Sequence, residues 1–572
     1  MEFNIYINNI PTRVKEGELL LPVLKRFGIH IPTLCNMEDF SPTGACRMCV
    51  VEVEGRKELV TSCTFPVEEN LRIKTNSQRV MRARKSIVEM LLSNHPDDCL
   101  YCVRNYNCEL QKLASEMHVV ERRFHTEKRP FFPDHSSPSV MRDAAKCVLC
   151  SRCVRVCDEM QEVTAIDFVE RSNQTVVNSA FKRGLNISNC IHCGQCITVC
   201  PTGALSDISA IDTVQAALGD ARKKVYFLIS PSVAVSFAEH FGLKPQKEVM
   251  GVLTTVLKKL GGTKVFDLGM AIDLNITLEA EILAQRLREG IKEPLISSCC
   301  PSWVKYAETF MPETTALLSP IRSPQQMLGK MLKEHYANEN QLSADDMFVV
   351  SLTPCVGARF EITRPEMAQK GVAEVDAVIT IRELMHLIHM HRINILNMPA
   401  SEPDKPFAVG SALGFKAGYS GGKSEAIAQE LYHLLKTKPT EAFRYTPGRS
   451  PTGIKEAKVQ IGHRSYVFAW AASHKKANRL LNHLRTNKKN EVCYIEIMSC
   501  PDGCLAGGGQ PIEVGKEKWR NRKKICQEME KDCEFSVAFT NTQLQTFLNT
   551  LNKKLGNQSL KTLFKTGFEF SG

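Results

Sequence analysis

The 572-residue chain has no run of about 18 apolar residues, so no membrane-spanning helix is expected. Its first residues, "MEFNIYINNI", lack a basic stretch followed by an apolar one. No secretory leader is therefore expected, and the cytoplasm is the expected location. The glycines of "CLAGGGQP" are not followed by Lys-Ser or Lys-Thr, which argues against a phosphate loop. The net charge of +11 is scattered, so neither nucleic acid nor a membrane is an expected partner. The densest basic run, "KEKWRNRKK" from Lys516, reads as a solvated helix face. With 43% hydrophobic and 24% charged residues the composition is that of a soluble globular protein, and the length requires several domains.

Cysteine is what the chain has in excess. There are 23, and without a sign of export disulfides are not expected. Most stand two or three residues apart, a spacing that reads as metal ligation. Cys35, Cys46, Cys49 and Cys63 form one group among short β-like runs. "HPDDCLYCVRNYNC" offers His95, Cys99, Cys102 and Cys108. Either group alone is compatible with zinc. A repeat follows, "CVLCSRCVRVC" and "CIHCGQCITVCP". This is the two-cluster ferredoxin pattern, in which the fourth cysteine of each run ligates the other cluster. It assigns Cys147, Cys150, Cys153 and Cys200 to one [4Fe-4S] cube, and Cys190, Cys193, Cys196 and Cys157 to a second.

Beyond about residue 220, buried-strand runs such as "KVYFLIS", "MFVVSL", "DAVITI" and "YIEIM" alternate with helical patterns such as "LEAEILAQRLREG". That is α/β layering. Cys299, Cys300, Cys355, Cys500 and Cys504 all stand at strand ends, where ligand sites form in such domains. The glycines after Cys504 are expected to let the backbone pass close to a bulky metal group.

The first two groups resemble the large iron–sulfur subunit of respiratory NADH dehydrogenase. That implies a [2Fe-2S] cluster on the first and a [4Fe-4S] cluster on the second. "SSCCPSW", "TPCVGARFE" and "IMSCPDGCLAGGGQP" resemble the three signature motifs of [FeFe]-hydrogenases. Nearly the whole chain resembles the long clostridial type of that family. The resemblance implies interconversion of H2 with protons and electrons at an H-cluster, a [4Fe-4S] cube sharing a thiolate with a diiron unit that carries CO, cyanide and a bridging dithiolate. It implies Cys300, Cys355, Cys500 and Cys504 as cube ligands, with Cys504 bridging, and Cys299 as the thiol that passes protons. Glu279, Ser319 and Glu361 match the proton path. Ser230, Pro231, Ser232, Gln325 and Pro354 match the surroundings of the diiron unit. Electrons are expected to pass through one [2Fe-2S] and three accessory [4Fe-4S] clusters to a ferredoxin- or flavodoxin-like carrier. Maturation proteins are expected to load the diiron unit. The expected fold is multidomain α+β and α/β: ferredoxin-like domains over 1–80, 81–127 and 128–208, then a two-lobed α/β catalytic domain over 209–572.

Three positions depart from the motifs. Thr353 stands where the family has methionine, and Ala358 where it has a lysine that donates to a cyanide. Ile282 stands where the path has a second glutamate. Arg359 is adjacent to Ala358, and Glu281 lies one step, about 100°, round the helix from Ile282. These departures imply a divergent subgroup, and the lost lysine charge implies a bias towards H2 oxidation. A hydrogen or redox sensor on the same scaffold is the alternative, or a non-catalytic electron-transfer or assembly protein.

Overall fold

The computed structural model describes residues 2–126, 131–246, 248–369, 371–407, 409–435, 448–449, 454–461, 464–486, 491–512, 516–555 and 560–568. The chain divides into two compact units. One comprises residues 1–159, 164–188 and 199–206, the other 160–163, 189–198 and 207–572.

The first unit opens with a five-stranded sheet in the order Ile10–Lys15, Glu2–Ile7, Arg72–Lys74, Val50–Val53, Val60–Thr61. Alternation along the first strand turns Ile5 and Ile7 inward. They pack with Val14, Leu20 and Leu24, and Cys49 and Cys63 belong to the same core. The helix Gln78–Asn94 begins at Ser77, whose hydroxyl accepts from the Val80 amide, and its C-cap is His95. The rest of the unit is mostly short turns around cysteines.

The second unit is built on two sheets. One is parallel, in the order Lys264–Asp267, Lys224–Ile229, Met347–Thr353, Ala377–Thr380. The other runs Leu295–Ile296, Val492–Met498, Arg464–Ala472, Lys455–Ile461, Gly448–Arg449, parallel among the first three and antiparallel beyond. Val225 to Ile229 are continuously buried, as a strand covered by helices on both faces requires. The helix Gly269–Arg288 is buried over most of its length, polar residues included. It gives Leu274 and Leu278 to one core and Ile276, Ala280 and Leu283 to the other, so it joins the two lobes. Among the described residues no helix is long and apolar enough to cross a membrane.

One expectation is corrected here. Within the basic helix Lys516–Lys531, Arg522 is not on a solvated face. It is buried, with Nε 2.6 Å from Glu239 Oε2 and Nη1 donating to the Leu505 carbonyl at 3.1 Å. A guanidinium with several acceptors tolerates burial. The side chains of residues 516–518 lie outside the described residues.

Candidate active site

Cys300 is the N-cap of the helix Pro301–Phe310. The proline at its first position is pre-set for that helix and continues the turn out of Leu295–Ile296. Cys355 lies between the strand Met347–Thr353 and the helix Gly357–Ile362, and Cys500 and Cys504 follow Val492–Met498. Cys300, Cys355 and Cys500 thus stand just beyond the ends of parallel strands, and Cys504 ends the short strand Pro501–Cys504. The four face one another. Burial pushes Cys355 up to about 12, and the charge on Cys300 adds to it. Burial drives Cys500 and Cys504 well above the ordinary thiol range, again with Cys355 and Cys300 pushing in the same sense. Every described cysteine is a free thiol. Three thiols whose ionisation burial and neighbouring cysteines disfavour are stable as thiolates only if a metal takes them. Among the described residues no three His, Cys, Asp or Glu side chains close in tightly enough to hold a single ion. Four cysteines are the donor set that a [4Fe-4S] cube would take.

The glycines after Cys504 are also needed for backbone packing. A Cβ on Gly507 would come 2.4 Å from the Pro354 carbonyl oxygen, and one on Gly508 would come 2.7 Å from that of Cys193. The Gly509 amide donates to the Pro354 carbonyl at 2.7 Å. Backbone packed on backbone requires these glycines, so their spacing reports how the cysteine loops are drawn together.

Among the described residues, polar side chains reach two of these sulfurs. Gln195 Nε2 lies 3.1 Å from Cys500 Sγ and 3.0 Å from the Ala506 carbonyl oxygen. Ser499 Oγ lies 3.4 Å from Cys300 Sγ and 3.1 Å from His474 Nε2. His474 Nδ1 is 2.6 Å from Gln161 Oε1, and Gln161 Nε2 donates to the Ser499 carbonyl at 2.8 Å. His474 is fully buried and stacked on Tyr306 at 4.3 Å. Burial pushes it down to about 3, so it is neutral.

Cys299 faces the polar interior of the unit. Burial pushes its thiol up to about 11, Lys423 acts in the opposite sense, and the Glu279 and Glu361 charges push further up. Glu279 is wholly buried. Its Oε1 is 3.0 Å from Lys423 Nζ, and its Oε2 accepts from the Tyr494 hydroxyl at 2.8 Å. Lys423 Nζ also donates to Asn275 Oδ1 at 2.6 Å and Ser297 Oγ at 2.9 Å. Ser319 is tied to the Cys299 segment through its backbone. Its amide donates to Ile296 and its carbonyl accepts from Ser298 Oγ, both at 2.7 Å. Glu361 accepts from Ser323 Oγ at 2.8 Å and from Gln325, and burial raises its carboxyl. Ile282 lines a cleft of about 420 Å³ together with Leu318, Arg286 and Glu289. Glu281 does not replace the missing path carboxylate, because it pairs with Lys561 at 3.2 Å.

Around the expected diiron position, Ser230 is the N-cap of the helix Pro231–Phe241. A Cβ on Gly418 would come 2.3 Å from Ser232 Oγ, so that hydroxyl lies against the Gly418 backbone. Thr353 Oγ1 accepts from the Cys355 amide at 3.3 Å, a bond within the ligand loop that methionine cannot make. Ala358 is buried among apolar neighbours. Arg359 is bound to Glu383, to the Val378 carbonyl at 3.2 Å and to Asp207 at 3.6 Å. Its charge is committed there, so it is no free substitute for the absent lysine.

In the first unit, Cys35 contacts Cys46 and Cys63 through sulfur, and Cys49 contacts Cys63. His95 is buried and its Nδ1 has no hydrogen-bond partner. An orphaned imidazole nitrogen fits a ligand position. A Cβ on Gly203 would come 2.6 Å from Cys102 Sγ, and burial raises the Cys108 thiol, with the charge on Cys102 a smaller push in the same sense. Cys147, Cys150, Cys153 and Cys200 line one cavity. Cys157 Sγ accepts from the Ala165 amide at 3.3 Å. Cys190, Cys193 and Cys196 lie in the segment 189–198 that folds with the second unit.

Sequence reasoning did not single out Lys423, Tyr494, Gln195, Ser499, His474 or Gln161. Lys423 carried a signal. It lies four and eight residues before Ile427 and Leu431 on one helix, and so shares their buried face. The others carried none, because they are distant in sequence from the groups they touch.

Residues 223–508 match the family described as iron only hydrogenase large subunit, C-terminal domain. Residues 1–78 match a 2Fe-2S iron-sulfur cluster binding domain, 84–123 the NADH-ubiquinone oxidoreductase-G iron-sulfur binding region, and 146–204 a 4Fe-4S dicluster domain. The chain is 36% identical over 522 residues to the NADP-reducing hydrogenase subunit HndD of Solidesulfovibrio fructosivorans, covering 89% of each. It is 34% identical over 511 residues to iron hydrogenase 1 of Clostridium pasteurianum, covering 89% of this chain and 88% of that one. A solved structure of a variant of apo [FeFe]-hydrogenase HydA1 from Chlamydomonas reinhardtii is similar with a TM-score of 0.56 at 25% identity. It covers 64% of this chain and 100% of the other.

Proposed function

This chain belongs to the iron-only, or [FeFe], hydrogenase family, and from that premise we propose how its residues divide the work. Cys300, Cys355, Cys500 and Cys504 hold the H-cluster, and Cys299 passes protons to and from it. The observation that carries this reading is the meeting of Cys355, Cys500 and Cys504, whose ionisation burial disfavours, with Cys300 beside Cys299. When bound, the H-cluster supplies the making and breaking of the H–H bond.

The chain's own groups handle the proton. A thiol pushed up to about 11 stays protonated at neutral pH and can donate. Glu279 is the next polar group, fixed at both oxygens by Lys423 and Tyr494, and Ser319 and Glu361 belong to the same route. Farther out, the cleft at Ile282 admits water where the family has a carboxylate. Ser230, Pro231, Ser232, Gln325 and Pro354 surround the diiron unit.

Electrons pass through one [2Fe-2S] cluster on Cys35, Cys46, Cys49 and Cys63 and three accessory [4Fe-4S] clusters on the remaining ligand sets. The domain division at 1–80, 81–127, 128–208 and 209–572 follows those sets. The contact of Gln195 with Cys500 supports the cluster of Cys190, Cys193 and Cys196 as the last before the active site. The carrier is a ferredoxin- or flavodoxin-like protein in the cytoplasm, and maturation proteins load the diiron unit. A second reading, favoured by the 36% identity to a subunit named NADP-reducing, is that electrons go to a partner subunit that reduces NADP. Without a lysine at Ala358, and with Arg359 committed to Glu383, the electron-rich states lose a stabilising charge, which biases the enzyme towards H2 oxidation.

The test is a pair of neighbours. Cys299→Ala should retain its iron and lose nearly all turnover in both directions, whereas Cys300→Ala should lose the cube's iron. A Cys299→Ala enzyme that keeps most of its activity would sink the proton assignment.

A further inference from the structure

Among the described residues, the two polar side chains that reach the sulfurs of the active-site cube are not equivalent. Gln195 has its amide orientation fixed, because Nε2 also faces the Ala506 carbonyl. Its N–H therefore points at Cys500 Sγ and can only donate. Ser499 has a single hydroxyl proton and two acceptors, Cys300 Sγ at 3.4 Å and His474 Nε2 at 3.1 Å.

The tautomer of His474 decides between them. Gln161 Nε2 donates to the Ser499 carbonyl, so its Oε1 must accept from His474 Nδ1. The neutral ring then carries its proton on Nδ1 and presents a bare lone pair at Nε2. No other described group bonds to Nε2. A buried acceptor without a donor is costly, and nitrogen accepts better than sulfur at the longer distance.

We infer that the Gln161–His474 pair holds the Ser499 proton away from Cys300, so that the active-site iron–sulfur cube receives a hydrogen bond at Cys500 but not at Cys300. Hydrogen bonds to cluster sulfurs stabilise the reduced state and raise the potential. His474 is therefore a positioning residue that keeps the cube's potential low. The inference rests on Cys300 and Cys500 being cube ligands. It is a separate claim, because a cube with a freely donating serine is equally compatible with that ligation.

The experiment uses the full chain carrying its iron–sulfur clusters but not the diiron unit. The cube is identified as the paramagnetic signal lost in Cys300→Ala, and its midpoint is read by redox titration. His474→Phe keeps the stacked ring and removes the lone pair, so the serine turns to sulfur. The midpoint should rise by up to about 59 mV, tenfold in the one-electron equilibrium. Gln161→Leu frees the ring to take the other tautomer and should raise it less. Ser499→Ala should leave it nearly unchanged, and His474→Phe with Ser499→Ala should return it to the starting value. Gln195→Leu should lower it. An unmoved midpoint in both His474→Phe and Gln161→Leu overturns the inference, as does a fall in Ser499→Ala matching that of Gln195→Leu. If Cys300→Ala removes no signal, the ligand assignment fails instead, and the inference falls with it.

Discussion

The two units use sulfur differently. In the first, Cys49 and Cys63 are part of the apolar core, packed with Ile5, Ile7 and Leu20. In the second, Cys300 caps a helix, Cys500 follows a strand and Cys504 ends the short strand Pro501–Cys504, all outside the clusters that Phe227, Leu253, Leu328 and Tyr494 anchor, while Cys355 packs only against the edge of one of them. A small unit with metal ligands in its core couples folding to the metal. A large unit with its own cores can fold first and present the thiols. Folding of the first unit is therefore expected to depend on metal more than folding of the second.

The strongest way to break that contrast is to remove the iron. Anaerobic chelation should abolish amide protection in Glu2–Ile7 and Val50–Val53 and leave Lys224–Ile229 and Met347–Thr353 protected. Equal loss in both units would contradict it.

A smaller effect lies inside the second unit, where the buried ion pair matters more than the cluster. Glu279→Ala leaves the Lys423 cation buried and unpaired, and should cost about 3–5 kcal/mol of that unit's stability. Denaturant unfolding of the iron-free protein checks this. Ile282→Glu should change stability by less than about 1 kcal/mol and increase turnover if water already bridges the path.

A third effect depends on pH. Burial raises Asp273 to about 7, against the pull of its Ser411 and Asn541 hydrogen bonds. Its folded value thus exceeds the unfolded one, near 3.9. The folded state holds the extra proton between those values, so stability from this group is full below about pH 4 and is lost as pH rises towards 7. Asp273→Asn should flatten the stability profile of the second unit across that window. An unchanged slope would mean that hydrogen bonding outweighs burial there.

The smallest expected change is in direction. Ala358→Lys should shift the ratio of H2 evolution to oxidation towards evolution, assayed at one pH and one carrier potential. An unchanged ratio would show that charge near Ala358 does not set the bias.

The family, the α/β layering and the cysteine groups were legible because they are local: a motif or a period lies within a few residues. The packing of Gly507 to Gly509 on Pro354 was not legible, because Pro354 is about 150 residues away and nothing in the glycine run names it. Arg359 beside Ala358 offered a compensation that the structure withdraws, since neighbours in sequence diverge once Glu383 claims the guanidinium. Lys423 and Glu279 meet from two helices, and Tyr494 reaches them from a strand. Such a junction is a property of the packed lobes, not of any one stretch.

The central claim is that the second unit holds an H-cluster on Cys300, Cys355, Cys500 and Cys504. An infrared spectrum of the matured full-length chain tests it most directly. Bands of bound carbon monoxide and cyanide, shifting when H2 is admitted and absent in Cys504→Ala, are the predicted result. A protein with its full complement of iron and no such bands would contradict it.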